Sequence, residues 1–272
     1  MKNIVKILRG TAPAPSSGNL QSRGGSVILQ SSGSLLPEGF PDVLNREKTL
    51  KESGSVAAFL CGNGQYFCKI YKYRRFFHSL KRVFRTPRAF RCFAGAQRLA
   101  EHGFQTPEPV AAAVCYRWII PRHQLLITRS LPENTVYLDK AVKETDTQTA
   151  GELLCAVTGF TAKLHQAGFA HGDMSLRNIY LTDNGKSFGL IDLDGMMIYP
   201  SGVPRQIAAR EIARLISSAY RCSSQPDIPR EEWMQSALAA YRESGGADLQ
   251  KKDIAGTLAR LEKHRYHQLK KS

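Results

Sequence analysis

Residues 171–195 read His-Gly-Asp-Met-Ser-Leu-Arg-Asn-Ile-Tyr-Leu-Thr-Asp-Asn-Gly-Lys-Ser-Phe-Gly-Leu-Ile-Asp-Leu-Asp-Gly. Asp173 and Asn178 stand five positions apart, ahead of an apolar run, Ile179-Tyr180-Leu181. A turn at Asp183-Asn184-Gly185 follows, and a second apolar run over residues 188–191 ends at Asp192. Two strands joined by a tight turn bring Asp192 back beside Asp173 and Asn178. Three oxygen-bearing side chains then converge with no cysteine ligand nearby. Hard oxygen donors of this kind suit Mg²⁺, which is usually held by one or two carboxylates plus substrate phosphates.

The spacing resembles the catalytic loop of protein-kinase-like enzymes, His-x-Asp-x-x-x-x-Asn, with Asp192-Leu193-Asp194 in place of Asp-Phe-Gly. Each position has a reason in phosphoryl transfer. One Asp accepts the proton of the attacking hydroxyl, while the Asn and the second Asp hold the metal that bridges the nucleotide phosphates. A strand-turn-strand with incidental acids would leave His171 and the Ile-Asp ending as coincidences.

At 272 residues the chain can bury a proper core, as one domain of two lobes or as two small domains. The net charge of +15 favours anionic partners: nucleotides, phosphorylated glycans, acidic lipid surfaces or nucleic acid. Six cysteines without a C-x-x-C pair argue against a disulfide framework or a zinc site, and so for a reducing compartment. No run of eighteen apolar residues is present, and Lys6 and Arg9 interrupt any signal-peptide core. The expectation is a cytoplasmic protein, peripheral on a membrane at most.

Taken in order, residues 1–45 are Ser-, Gly- and Pro-rich and read as a flexible arm, with a short strand over 26–29. A small lobe is expected over 46–131. Within it Asn63, between glycines, joins apolar runs at 56–60 and 66–71, a hairpin signal. Gly54 and Ser55 precede the first strand and could let the backbone close over phosphates. Lys69 lies inside the second strand, either facing outward or contacting nucleotide phosphates; the loop at 171–178 favours the second.

Residues 72–91 carry Phe76, Phe77, Leu80, Val83 and Phe84 at helical spacing among Arg74, Arg75, Lys81, Arg82 and Arg85. Such a basic, aromatic insertion fits an anionic membrane surface, or packs on the domain with its charges in water. Nucleic acid is set aside, because no nucleic-acid motif accompanies the charge. Thr86-Pro87 starts a helix that ends at Gly103. Strands over 110–120 and 125–128, joined at Pro121-Arg122-His123-Gln124, follow. The segment Arg129-Ser130-Leu131-Pro132 links to the rest, and the backbone of Arg129 and Leu131 is placed to meet an adenine edge by order along the chain alone. Residues 132–272 are expected to be mainly helical, over 146–166, 205–220, 230–243 and 251–271.

Several stretches carry a resemblance to the bacterial lipopolysaccharide kinase family, which includes Kdo kinases and core heptose kinases. They are Lys69-Ile70-Tyr71 with the basic segment behind it, Gly103-Phe104-Gln105-Thr106-Pro107-Glu108-Pro109-Val110, His171-Gly172-Asp173 with Asn178, Leu190-Ile191-Asp192-Leu193-Asp194, and Ala239-Ala240-Tyr241-Arg242. The resemblance spans roughly residues 51–243. It implies an α+β, bilobal protein-kinase-like fold, with a small antiparallel-sheet lobe and a mainly helical one. It also implies transfer of the γ-phosphoryl of ATP, with Mg²⁺, to a sugar hydroxyl of an anionic lipid-linked glycan at the cytoplasmic membrane face. Asp173 would be the base, Asn178 and Asp192 the Mg²⁺ ligands, Lys69 the phosphate contact, and His171 a brace of the loop. Asp194 takes a place where kinases often have Gly.

Two positions depart from the kinase pattern. The helix glutamate that pairs with the strand lysine falls, counted back from Gly103, on Cys92; Glu101 is half a turn around the helix. Ser175 stands where protein kinases carry a lysine, which argues against a protein substrate. An antibiotic-type phosphotransferase shares a His-Gly-Asp loop, and a nucleotide-binding pseudokinase would tolerate Cys92; both remain alternatives.

Overall fold

The structure, a computed structural model, describes residues 17–22, 25–31, 48–53, 55–72, 86–117, 120–182, 185, 187–223 and 230–269. Gly54, the basic-aromatic stripe from Phe76 to Phe84 with its flanking arginines, and the turn residues Asp183 and Asn184 lie outside them. The chain divides into two compact units, residues 1–101 with 107–132, and residues 102–106 with 133–272.

The first unit is built on one antiparallel sheet. In chain order its elements are β1 (Ser17–Ser22), β2 (Gly25–Ser31), β3 (Lys48–Glu52), β4 (Val56–Cys61), β5 (Tyr66–Lys72), helix α1 (Arg88–Glu101), β6 (Pro109–Arg117) and β7 (Ile120–Arg129). The sheet order is β1-β2-β6-β7-β5-β4-β3. The β4–β5 turn needs left-handed backbone at three successive residues, Gly62, Asn63 and Gly64. Only glycine, and to a lesser degree Asn, adopts it at little cost.

Strand alternation sorts β5 between two faces. Tyr66, Cys68 and Ile70 join Ala57, Phe59, Leu125 and Ile127 in one buried cluster. Tyr71, with Ala112 and Leu126, packs instead against Ala89, Cys92 and Phe93 of α1. Lys69, two residues from Tyr71 and paired with Leu126 and Ala58, shares that helix-covered face.

The short strand expected over 26–29 forms as part of β2, which pairs with β6 from Ser26↔Tyr116 to Ser31↔Ala111. One expectation changes. The expected turn at residues 121–124 lies inside β7, with Val114 opposite Gln124 and Arg117 opposite Ile120. The polar cluster imitates a turn, yet Gln124 is buried because its Oε1 accepts the backbone N–H of Ala89 in the first turn of α1.

The second unit holds α2 (Leu138–Glu144), α3 (Thr147–Gln166), β8 (Phe169–Ala170), β9 (Ile179–Thr182), β10 (Ser187–Leu190), β11 (Met197–Ile198), α4 (Arg205–Cys222), α5 (Arg230–Glu243) and α6 (Lys251–Leu269). Asp146 caps α3, accepting from the backbone N–H of Thr149 at 2.9 Å and its hydroxyl at 2.8 Å. The hairpin expected from the sequence forms, with Ile179 opposite Leu190. Among the described residues no helix is long and apolar enough to cross a membrane.

Candidate active site

The loop after β8 alternates between core and surface. Met174 and Leu176 are fully buried and anchor it, whereas Asp173 is 54 % and Arg177 70 % exposed. Gly172 has φ +82°, and a side chain there would run into the carbonyl of Gly195. That close approach brings the loop against the turn Leu193–Gly195, which follows Asp192.

Hydrogen bonds tie Asp173 to Asn178, and tie the residue before Asp192 to the same loop. The Asn178 amide nitrogen donates to the Asp173 carbonyl at 2.8 Å and reaches its Oδ2 at 3.3 Å. The Ile191 N–H donates to the Asn178 carbonyl at 2.9 Å, which places Asp192 one residue beyond the end of the hairpin. His171 donates from Nε2 to the Ile191 carbonyl at 2.9 Å, and its Nδ1 accepts the Asp173 N–H at 3.3 Å. One imidazole therefore ties the segment before Asp173 to the segment before Asp192. Asp192 itself adopts left-handed backbone, φ 57° and ψ 58°, a conformation that costs an L-residue about 1–2 kcal/mol. Such strain clusters at functional positions.

Four residues of the site escaped the sequence reading. Glu211 on α4 is 2 % exposed and its carboxylate accepts the backbone N–H groups of His171, at 3.1 Å, and Gly172. It also accepts from His165 Nε2 at 2.9 Å, while His165 Nδ1 meets the Tyr241 hydroxyl at 2.7 Å. Burial pushes the Glu211 carboxyl up; the His165 hydrogen bond, the nearby imidazoles of His165 and His171 and the Gly172 N–H outweigh it and hold its pKa below the ordinary value. The carboxylate is thus ionised and accepts from Nε2 of His165. Arg214, three residues on and on the same face of α4, donates to the Gly172 carbonyl. The Gly172 peptide is clamped at both ends by one helix. Arg214 also lies 3.9 Å from Asp173 Oδ1, and Arg177 lies 3.8 Å from Oδ2. A Glu and an Arg three apart on an amphipathic helix read as a solvent-exposed pair, and of the four residues the sequence marks only Tyr241, as part of a motif and without a role.

The residues predicted in the first unit stand as follows. Lys69 Nζ lies 5.4 Å from the centroid of the Tyr71 ring, and the Tyr71 hydroxyl lies 3.8 Å from Cys92 Sγ. Cys92 does face the strand that carries the lysine, and Glu101 is exposed at the end of α1. Ser55 is exposed in the β3–β4 connection, where its carbonyl accepts the N–H of Lys72. The Arg129 and Ser130 N–H groups are committed to the carbonyls of Glu108 and Gln65, so Leu131 supplies the next N–H along the link.

Among the described residues no three His, Cys, Asp or Glu side chains form a metal cluster by themselves. An amide oxygen and a carboxylate that complete their shell with phosphate oxygens and water are a donor set for Mg²⁺ and not for a protein-caged ion. The residues present fit that ion: the Asn178 nitrogen is committed to Asp173, which leaves its Oδ1 as the coordinating atom.

No curated protein matches the sequence. Among solved structures the chain is similar to WaaP in complex with acyl carrier protein, at 20% identity and a TM-score of 0.56, over 82% of this chain and 89% of that one. It also matches an aminoglycoside phosphotransferase from Streptomyces rimosus at 15% identity and a TM-score of 0.48, over 82% of this chain and 94% of that one. The first of these likenesses shows the fold, kinase-like and α+β as expected. Residues 47–241 match the lipopolysaccharide kinase (Kdo/WaaP) family, and over that span run both the Lys69 strand and the braced loop: the chain belongs to that family and is an ATP-dependent sugar kinase of lipopolysaccharide core synthesis.

Proposed function

We propose that Asp173 is the general base of this kinase. The acceptor sugar's hydroxyl loses its proton to the Asp173 carboxylate as its oxygen attacks the γ-phosphorus of ATP; a new P–O bond forms, the bond to the β-phosphate oxygen breaks, and ADP leaves. Asn178 and Asp192 would hold Mg²⁺, which when bound neutralises charge on the nucleotide phosphates. Lys69 binds those phosphates, Ser55 lies over them, and Leu131 offers a backbone group to the base. The acceptor is a glycolipid, for which we favour the Kdo or heptose of the inner core. A net charge of +15 supports work against an anionic membrane surface, on the cytoplasmic side where ATP is available.

The observation that carries this reading is the Asn178 amide on Asp173, together with the Ile191–Asn178 hydrogen bond, which draws the three residues into one braced turn. The test is Asp173→Asn. Transfer of phosphate to purified lipopolysaccharide acceptor should fall by about a hundredfold to ten-thousandfold, the range for loss of a general base, while calorimetric binding of Mg·ATP persists. Transfer at the wild-type rate would remove Asp173 from the role.

A further inference from the structure

Two guanidinium groups stand beside the exposed carboxylate of Asp173, one on each oxygen. Arg177 comes from the loop itself and approaches Oδ2 at 3.8 Å; Arg214 comes from α4 and approaches Oδ1 at 3.9 Å. Neither distance is a hydrogen bond, so the carboxylate does not use up the forks. Arg214 gives one N–H to the Gly172 carbonyl and is 39 % exposed. Arg177 is 70 % exposed, and among the described residues Asp173 is its one ion-pair partner. Ser175, at the position where a protein kinase places its lysine, is turned inward with a buried hydroxyl that has no hydrogen-bond partner among the described residues. The cationic edge of this loop is therefore Arg177 and not position 175.

A proton-accepting carboxylate gains nothing from two half-satisfied forks unless they serve something else. Arginine pairs of this kind recognise planar or tetrahedral oxyanions through paired N–H donors. With a hydrogen bond at either end, an oxyanion on Arg177 Nη2 lies at most about 10 Å from a hydroxyl on Asp173 Oδ2. That is within the acceptor sugar or its immediate neighbour.

We propose that Arg177 and Arg214 form a subsite for a carboxylate or phosphate carried by the acceptor sugar, or by the residue joined to it, so that the enzyme selects a hydroxyl with an anion close by. The proposal rests on Asp173 being the base. Kdo, a sugar acid, would supply a carboxylate, and a phosphorylated heptose would supply a phosphate.

The experiment compares kcat/KM on four acceptors: lipid A bearing Kdo, the same glycolipid with the Kdo carboxyl reduced to the alcohol, a heptose-phosphate core, and that core after phosphatase. Wild type should prefer the charged member of one pair by about tenfold to a hundredfold, as for one charge-assisted hydrogen bond gained or lost. Which pair shows the preference identifies the anion. Arg177→Gln should bring that ratio close to one through a raised acceptor KM, and Arg177→Lys should restore part of it. Arg210→Gln, an exposed arginine one turn before Arg214, controls for net charge and should leave the ratio as in wild type. A ratio unchanged in Arg177→Gln, an equal loss on charged and neutral acceptors, or a rise confined to the KM for ATP would each overturn the subsite. Failure of the underlying reading looks different: Asp173→Asn would then match wild type on every acceptor.

Discussion

The contacts seen around the residues proposed for the site differ in kind between the two units. In the second, Asp173, Asn178 and the segment before Asp192 are bound into one network with His171 and Glu211, and every link is a hydrogen bond with an identifiable donor. In the first, Lys69 lies over an aromatic ring, and the helix position that carries a glutamate in kinases holds Cys92, 3.8 Å from the Tyr71 hydroxyl. A base must meet one hydroxyl in one geometry, and fixed hydrogen bonds supply that precision. A lysine that neutralises phosphates needs only to be near, and a quadrupole attracts it without dictating an angle. The contrast predicts that substitutions in the loop's network act on kcat and stability together, whereas substitutions around Lys69 act on the KM for ATP.

The largest effect belongs to Glu211. Glu211→Ala leaves the His171 and Gly172 N–H groups and His165 without their buried acceptor, and removing one partner of such a network costs about 3–5 kcal/mol. Urea melts should show that loss, with transfer activity reduced beyond detection. Glu211→Gln keeps an acceptor but not the charge, and should fall between this variant and wild type. The acid dependence has a defined sign. Because the folded-state pKa lies below the ordinary 4.5, the contribution of Glu211 is fully present above that value and is lost as pH falls through the depressed one. The stability gap between wild type and Glu211→Gln should therefore be widest at neutral pH and narrow below pH of about 4. A gap that widens on acidification would contradict an ionised Glu211.

His165 and Tyr241 come next. Tyr241→Phe removes the hydroxyl that His165 Nδ1 meets at 2.7 Å and should cost about 1–2 kcal/mol. If the chain from α5 to the loop matters for placement, kcat falls with it, by about threefold to tenfold, at unchanged KM for ATP. Loss of stability with kcat intact would confine the Tyr241–His165 pair to packing.

What the sequence made legible follows from separation along the chain. The β9–β10 hairpin is local: alternation over a few residues and an Asx-Gly turn suffice, and the parity of β5 puts Lys69 on the face of Tyr71. The bracing is remote. Glu211 is 46 residues from His165, and Tyr241 is 76; no periodicity within α4 distinguishes a glutamate that clamps a loop from one that faces water. The same limit explains residues 121–124, whose polarity mimics a turn until the N-terminus of α1, 35 residues away, is seen to need Gln124. Composition did conceal β1, over Ser17–Ser22, since Ser and Gly mark loops only where no neighbouring strand accepts them.

The first unit offers a smaller effect. If the Tyr71 ring is what attracts Lys69, Tyr71→Phe keeps the ring and should leave the KM for ATP within about twofold of wild type, while Tyr71→Leu raises it by about threefold to tenfold, the equivalent of a partly exposed cation–π contact. Cys92→Glu would supply the kinase ion pair instead. A fall in the KM for ATP in that variant would mean that the ring holds Lys69 less well than a carboxylate does. A rise would mean that the pocket formed by Tyr71, Ala112 and Leu126 cannot accept the charge.

The smallest effect separates the ring from the helix. Gln124→Leu leaves the Ala89 N–H without its acceptor and should lower stability by about 1–2 kcal/mol, read as a shift of the urea midpoint. Cys92 lies three residues beyond Ala89 on the same stripe of α1, so any loosening of the helix start is felt at the Tyr71 contact. Should the KM for ATP stay constant while the midpoint moves, Lys69 owes its position to its own strand and to the neighbouring ring. Should both move together, the lysine depends on α1 after all, and the two units brace their charges more alike than the geometry of their contacts implies.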